Sequence, residues 1–180
     1  MKKLSFIFLT ILFIISCKSG DSKKLVTINN KYSISLPPFL VKASITLNEV
    51  ASLQYLNAWK EFYVIVIDES KFEFNQALIE NNFNSVYSND INGYSRLILN
   101  LFEQNIAISR KSEITDTLIN NMPAKLLTIS GRVEGMDAFY SLAFIQGKER
   151  YYQVIAWTLS SKEYKYKDEM KKIIYSFKEL

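Results

Sequence analysis

The six residues Phe62-Tyr63-Val64-Ile65-Val66-Ile67 are apolar without a break, between Glu61 on one side and Asp68, Glu69 and Ser70 on the other. Side chains of a strand alternate between the two faces of its sheet, so a run that is apolar at every position has to be covered on both. This requirement places Glu61 to Asp68 as a strand in the middle of a sheet, with helices above and below.

The flanking segments supply its neighbours. Tyr32, Ile34 and Leu36 alternate with Ser33 and Ser35, and Pro37-Pro38 ends the run because proline has no N–H to give a ladder. Ala51 to Ala58 reads as a further strand. Strand signals return from Ile114 to Leu159, broken at Asn120-Asn121-Met122-Pro123, at Glu134-Gly135 and at Gln146-Gly147-Lys148. These breaks have hairpin character and predict three or four antiparallel strands in succession. Between the two strand regions, Phe74, Leu78, Ile79 and Phe83 form one helical stripe and Leu97, Ile98, Leu101 and Phe102 another, with a turn at Asn89 to Gly93. A last helix starts where Ser160 and Glu163 have capping-box spacing; its apolar face is Tyr166, Met170, Ile173, Ile174 and Phe177, and Glu163 with Lys167 and Asp168 with Lys172 are i,i+4 pairs.

A different signal occupies the N-terminus. Lys2 and Lys3 precede an apolar run from Leu4 to Ile15, interrupted only by Ser5 and Thr10. As a helix this run reaches about 18 Å, short of the ~30 Å hydrocarbon core, and reads as an export signal rather than a membrane span. Ile14-Ile15-Ser16-Cys17 resembles the bacterial lipobox, which implies cleavage between Ser16 and Cys17 and lipid on the Cys17 sulfur. Residues 1–16 are then a signal peptide, residues 17–30 a lipidated N-terminus and tether, and residues 31–180 a single domain. Lys18 lacks the aspartate that retains lipoproteins at the inner membrane under one sorting rule, which favours an outer-membrane location in the cell envelope.

The residue types present exclude much chemistry. The chain has no histidine, and Cys17 is its only cysteine. That removes Ser-His-Asp and Cys-His nucleophiles, imidazole proton transfer and ordinary zinc sites, so no catalytic, metal or cofactor residues are assigned. Gly-x-Ser-x-Gly, Ser-x-x-Lys and phosphate-loop motifs are absent, and five scattered glycines cannot cradle a phosphate. Ser88 to Leu99 has an Asn92-Gly93 step like that of a calcium loop, but Leu99 stands where the bidentate glutamate belongs. Asp68, Glu69, Asp90, Asp116, Glu134 and Asp137 lie at expected strand ends and turns, where solvation accounts for them. Without residues 1–16, twenty basic side chains face eighteen acidic ones, and this balance gives no reason to expect nucleic acid. Lysine and tyrosine interleave from Lys162 to Lys167; a headgroup or nucleic-acid patch is one reading, and a solvated helix face is favoured because acids are interspersed. Tyr140, Tyr151, Tyr152 and Trp157 fall on adjacent expected strands and are the candidate interaction surface, against the reading that they pack inside.

Tyr32 to Pro37, Asn120-Asn121-Met122-Pro123-Ala124-Lys125, Gly131 to Tyr140, Tyr151-Tyr152-Gln153-Val154 and Ile173 to Phe177 follow one another in an order that resembles the PsbP-like superfamily, with Asn121 where its turn usually has glycine. The resemblance implies an α+β fold, an α/β/α sandwich with a central antiparallel sheet of about six strands flanked by helices on both faces. It also implies a scaffold without a shared reaction, found in photosystem subunits, a nuclear-import accessory protein and bacterial lipoproteins. The expectation is therefore a non-catalytic envelope lipoprotein, held to the membrane by lipid on Cys17 and acting as an interaction or assembly module for another envelope protein. A binder or carrier of small apolar ligands is the alternative.

Overall fold

The computed structural model describes residues 23–180. The expected signal peptide, Ser16, Cys17 and the first six residues of the expected tether, 17–22, lie outside the described residues. Eleven strands and three helices occur in the order β1 (Lys24–Ile28), β2 (Tyr32–Leu36), β3 (Val41–Lys42), β4 (Leu53–Asn57), β5 (Phe62–Ser70), α1 (Lys71–Glu80), α2 (Ile91–Glu103), β6 (Ala107–Lys111), β7 (Thr115–Ile119), β8 (Met122–Val133), β9 (Met136–Gln146), β10 (Arg150–Leu159), α3 (Glu163–Tyr175) and β11 (Lys178–Glu179). None of these helices is long and apolar enough to cross a membrane.

The apolar run lies on β5, which pairs with β4 and β10 inside an antiparallel sheet of order β3-β4-β5-β10-β9-β8-β6, with β7 also on β8. Both faces of β5 are used. Phe62, Val64 and Val66 pack with Met170, Ile173 and Ile174 of α3. Ile65 and Ile67 pack on the other side with Phe74 of α1 and Tyr94 of α2. Two features of the expected sandwich are corrected. The sheet has eight strands rather than about six. It is also not evenly flanked by helices on both faces: α3 shares its face with a second sheet of order β1-β2-β11, whereas α1 and α2 roof only part of the other. The apolar stripes of α1 and α2 are narrower than their periodicity implies, since Ile79, Phe83 and Leu101 are exposed.

The hairpins form at the expected breaks. Ile119 faces Met122 across Asn120-Asn121, at φ 47° and 66°, and Val133 faces Met136 across Glu134-Gly135, at φ 49° and 82°. Two consecutive left-handed residues twist as the flanking strands do, which is why such short loops close hairpins. Three local expectations are corrected. Residues 24–28 are not tether but β1, paired along its whole length with β2. Asn89 to Gly93 is a helix start, with Asp90 Oδ1 accepting from the N–H groups of Asn92 and Gly93, both at 2.8 Å. Ser160 does not cap the last helix, because a 3-10 turn over Ser160–Lys162 intervenes before α3.

Candidate functional site: an open aromatic hollow

Where α1 and α2 leave the sheet uncovered, β5, β10 and β9 carry a row of large rings. Trp157 pairs in register with Tyr63 on one side and Tyr140 on the other, so the three side chains stand on one face. The Tyr63 and Trp157 rings stack at 5.1 Å and 13°, and those of Trp157 and Tyr140 at 6.2 Å and 24°. Phe102 of α2 meets Tyr140 edge-on at 5.2 Å. Ile65, Ile67 and Ile155 continue the floor, and the whole encloses a hollow of about 760 Å³.

Its walls come from three separate parts of the chain. Ile98 and Leu101 project from α2, Val133 and Met136 from the β8–β9 hairpin, and Ile45 and Leu47 from the segment before β4. That segment is fixed by Gln54 of β4, whose Oε1 accepts from the N–H groups of Leu47 at 2.7 Å and Asn48 at 3.1 Å. Ile45, Leu101 and Met136 are exposed and form an apolar rim. Large exposed apolar side chains around a concave apolar floor mark a binding surface.

Of the polar side chains lining the hollow, Gln153 is held from behind by Tyr94 and Glu69, whereas the buried Thr158 Oγ1 has no hydrogen-bond partner among the described residues. Gln153 Nε2 donates to Tyr94 Oη at 2.9 Å and Glu69 Oε2 at 3.1 Å, and the Tyr94 hydroxyl also donates to Glu69. Burial, followed by the charge of Glu69, pushes the Tyr94 phenol far up, so it stays neutral. Burial and then Glu134 push Tyr140 up as well. Of the six acids singled out by sequence, only Glu134 borders the hollow; the other acid there, Glu61, is held by Lys162. Asp68 is bound by Lys31 and Arg150, Asp90 caps α2, Asp116 pairs with Lys125 at 2.5 Å, and Asp137 pairs with Arg132 at 3.0 Å.

The four candidate surface aromatics do not form one surface. Trp157 and Tyr140 lie in the hollow, but Tyr151 and Tyr152 are each 1 % exposed and point to opposite sides of the sheet. Tyr151 stacks on Tyr94 at 4.3 Å and Tyr152 packs against Tyr32 and Phe177. Adjacent residues of a strand cannot share a face, and this alternation separates them. Tyr63 and Phe102, which the sequence reading left out, complete the floor; Tyr63 has the parity of Ile65 and Ile67, and only the register places it beside Trp157.

No protein-family model matches the sequence, and no curated protein matches it. Solved structures do match in fold. The solution structure of a cyanobacterial PsbP (CyanoP) from Synechocystis sp. PCC 6803 aligns over 93% of this chain and 99% of its own, with TM-score 0.56 and 11% identity. LpqN of Mycobacterium tuberculosis, described as involved in cell envelope biogenesis, aligns over 89% of this chain and 87% of its own, with TM-score 0.53 and 10% identity. A Bacteroides thetaiotaomicron protein gives TM-score 0.53 at 10% identity, with this chain spanning 49% of its length. The fold is thus PsbP-like.

Proposed function

We propose that this chain is a non-catalytic lipoprotein of the bacterial cell envelope, anchored through lipid on Cys17, and that the aromatic hollow receives an apolar segment of another envelope protein. The observation that carries the reading is the open floor of Tyr63, Trp157 and Tyr140 under an exposed rim of Ile45, Leu101 and Met136. The internal engagement of Gln153, Tyr94 and Glu69 supports a site that binds without reacting. The likeness to LpqN supports the envelope, and the Ile14-Ile15-Ser16-Cys17 sequence supports the anchor. A photo-crosslinking side chain at Leu101 is expected to capture a discrete partner in intact cells. The same group at Lys148, exposed at the β9–β10 turn, is expected to capture none. Equal capture at both positions would count against the hollow as the docking site.

One observation favours a second reading, that of a small-ligand binder: about 760 Å³ falls within the range of pockets for small molecules. In that case native mass spectrometry of the purified protein shows a bound lipid-like mass that disappears in Trp157→Ala, and Leu101 captures no protein.

A further inference from the structure

The described chain begins at a corner of the domain that carries two fully exposed aromatic rings. Lys23 Nζ lies 3.6 Å from Glu169 of α3, and Lys24 opens β1 opposite Leu36. From Leu36 the chain turns through Pro37 and Pro38 to Phe39, whose carbonyl accepts from Asn57 Nδ2 at 2.8 Å and whose ring meets Phe62 and Tyr166. Asn57 leads into the β4–β5 turn, which is tied to the start of α3 where Lys162 bonds Glu61 and the Lys60 carbonyl. Trp59 in that turn is 96 % exposed and Tyr164 on α3 is 101 % exposed. Both belong to elements at the end of the domain where β1 begins.

Unpaired lysines outnumber unpaired acids at this corner: among the described residues of α3 only the carboxylate of Asp168 makes no ion pair. Lys24, Lys60 and Lys165 have no carboxylate within 4 Å among the described residues. Each holds its Nζ over a ring instead, over Tyr55 at 5.8 Å, Phe39 at 5.2 Å and Tyr166 at 5.3 Å. The acids interspersed along α3 that favoured a solvated face are largely taken: Glu163 by Arg110 and Lys167, Glu169 by Lys23 and Lys172. Lysines with stems on apolar surface and heads outward, next to exposed Trp and Tyr, match the headgroup layer of a bilayer in both charge and amphipathic character.

We propose that this corner, made by Trp59, Lys60, Tyr164, Lys165 and Lys24, is a contact surface for a membrane containing anionic phospholipid. The proposal rests on the anchor at Cys17. Cys17 precedes Lys23 by six residues, which span at most about 20 Å, so an anchored chain keeps this corner, rather than the far β9–β10 turn, beside the bilayer. Lipid and corner together hold the domain in one orientation.

The test uses the mature lipidated chain in vesicles with brominated acyl chains, with and without phosphatidylglycerol. Trp157→Phe leaves Trp59 as the only tryptophan, and Trp59→Phe leaves Trp157. With phosphatidylglycerol, Trp59 emission is expected to fall by about half and that of Trp157 by less than about a tenth, because only Trp59 reaches the interface. Lys60→Glu with Lys165→Glu, or high salt, is expected to reverse most of the Trp59 loss while the chain still floats with the vesicles. A lipidated, vesicle-bound chain whose Trp59 is unquenched, or quenched equally in the double lysine variant, overturns the corner and leaves the anchor standing. Mass spectrometry showing unmodified Cys17 overturns the anchor and the corner with it.

Discussion

Asp68 is the carboxylate most committed to charge in the interior. Its side chain is 4% exposed, with Lys31 Nζ at 2.8 Å and Arg150 Nε at 2.7 Å from Oδ2. Burial would raise its pKa, but hydrogen bonds from Lys31 and Ser52 and the Arg150 charge outweigh it and hold the carboxyl below the ordinary 3.8. A folded pKa below the unfolded one adds stability that is fully present above about 4 and is lost as pH falls through the folded value. Asp68→Asn is therefore expected to lower unfolding stability by about 2 kcal/mol near neutrality, with the gap to the native chain closing in acid, as read by urea titration across pH. Gly93 makes a different demand. A Cβ there would lie 1.9 Å from the Ser88 carbonyl oxygen and 2.5 Å from its nitrogen, both backbone atoms. Gly→Ala inside an open helix gains about 1 kcal/mol, whereas Gly93→Ala is expected to lose about 3 kcal/mol, seen as a lowered melting temperature. The sequence shows a glycine in a turn-like Asn-Gly pair; the close approach to Ser88 is tertiary and is not legible in it. Tyr151 and Tyr152 are the opposite case, since their adjacency in one strand excludes a shared face and is legible in the sequence.

At the scale of elements, the hairpins were legible because their signals are local. Asn120-Asn121 and Glu134-Gly135 combine turn residues with alternating strands on both sides. The first of these turns also reaches across the molecule, with Asn120 Nδ2 donating to the Phe177 carbonyl at 2.6 Å. Asn120→Ala is expected to cost about 1.5 kcal/mol through the lost bond and the left-handed φ, and Asn121→Gly to add about 0.5 kcal/mol by relieving that φ. Both shift the urea midpoint without changing the slope. β3, β6 and β11 left no pattern to read. β6 is exposed at all five positions and β3 at both of its two, so neither carries the apolar alternation that marks a strand. β1 buries only Val26 and looks like a polar tether until its pairing with β2 is seen. The capping-box spacing of Ser160 and Glu163 misled for a similar reason, since spacing cannot tell a 3-10 turn from the first turn of an α-helix.

On the scale of the whole molecule, the demand of β5 for cover on both faces was legible, and how completely that cover extends was not. Helix periodicity gives the direction of an apolar face but not the area it shields, so the gap over Tyr63, Trp157 and Tyr140 became visible only with α1 and α2 in place. Leu101 at the rim separates function from folding. Leu101→Asp is expected to change unfolding stability by less than about 0.5 kcal/mol, because the side chain is exposed, while abolishing recovery of whatever the hollow holds. Loss of both together would make Leu101 a packing residue instead. The three-stranded sheet has a mechanical meaning as well. β1 and β2 form a hairpin whose open end is Lys24 and Leu36, while β2 is gripped on its other edge by β11 and by the Ser35 N–H donating to Ser176 Oγ at 2.9 Å. Tension arriving through the residues before Lys24 therefore unzips β1 one rung at a time instead of shearing the ladder at once. Five residues released in this way extend the chain by about 17 Å while the main sheet stays closed, so under the proposed anchor the first strand would act as a force-sensitive extension of the tether.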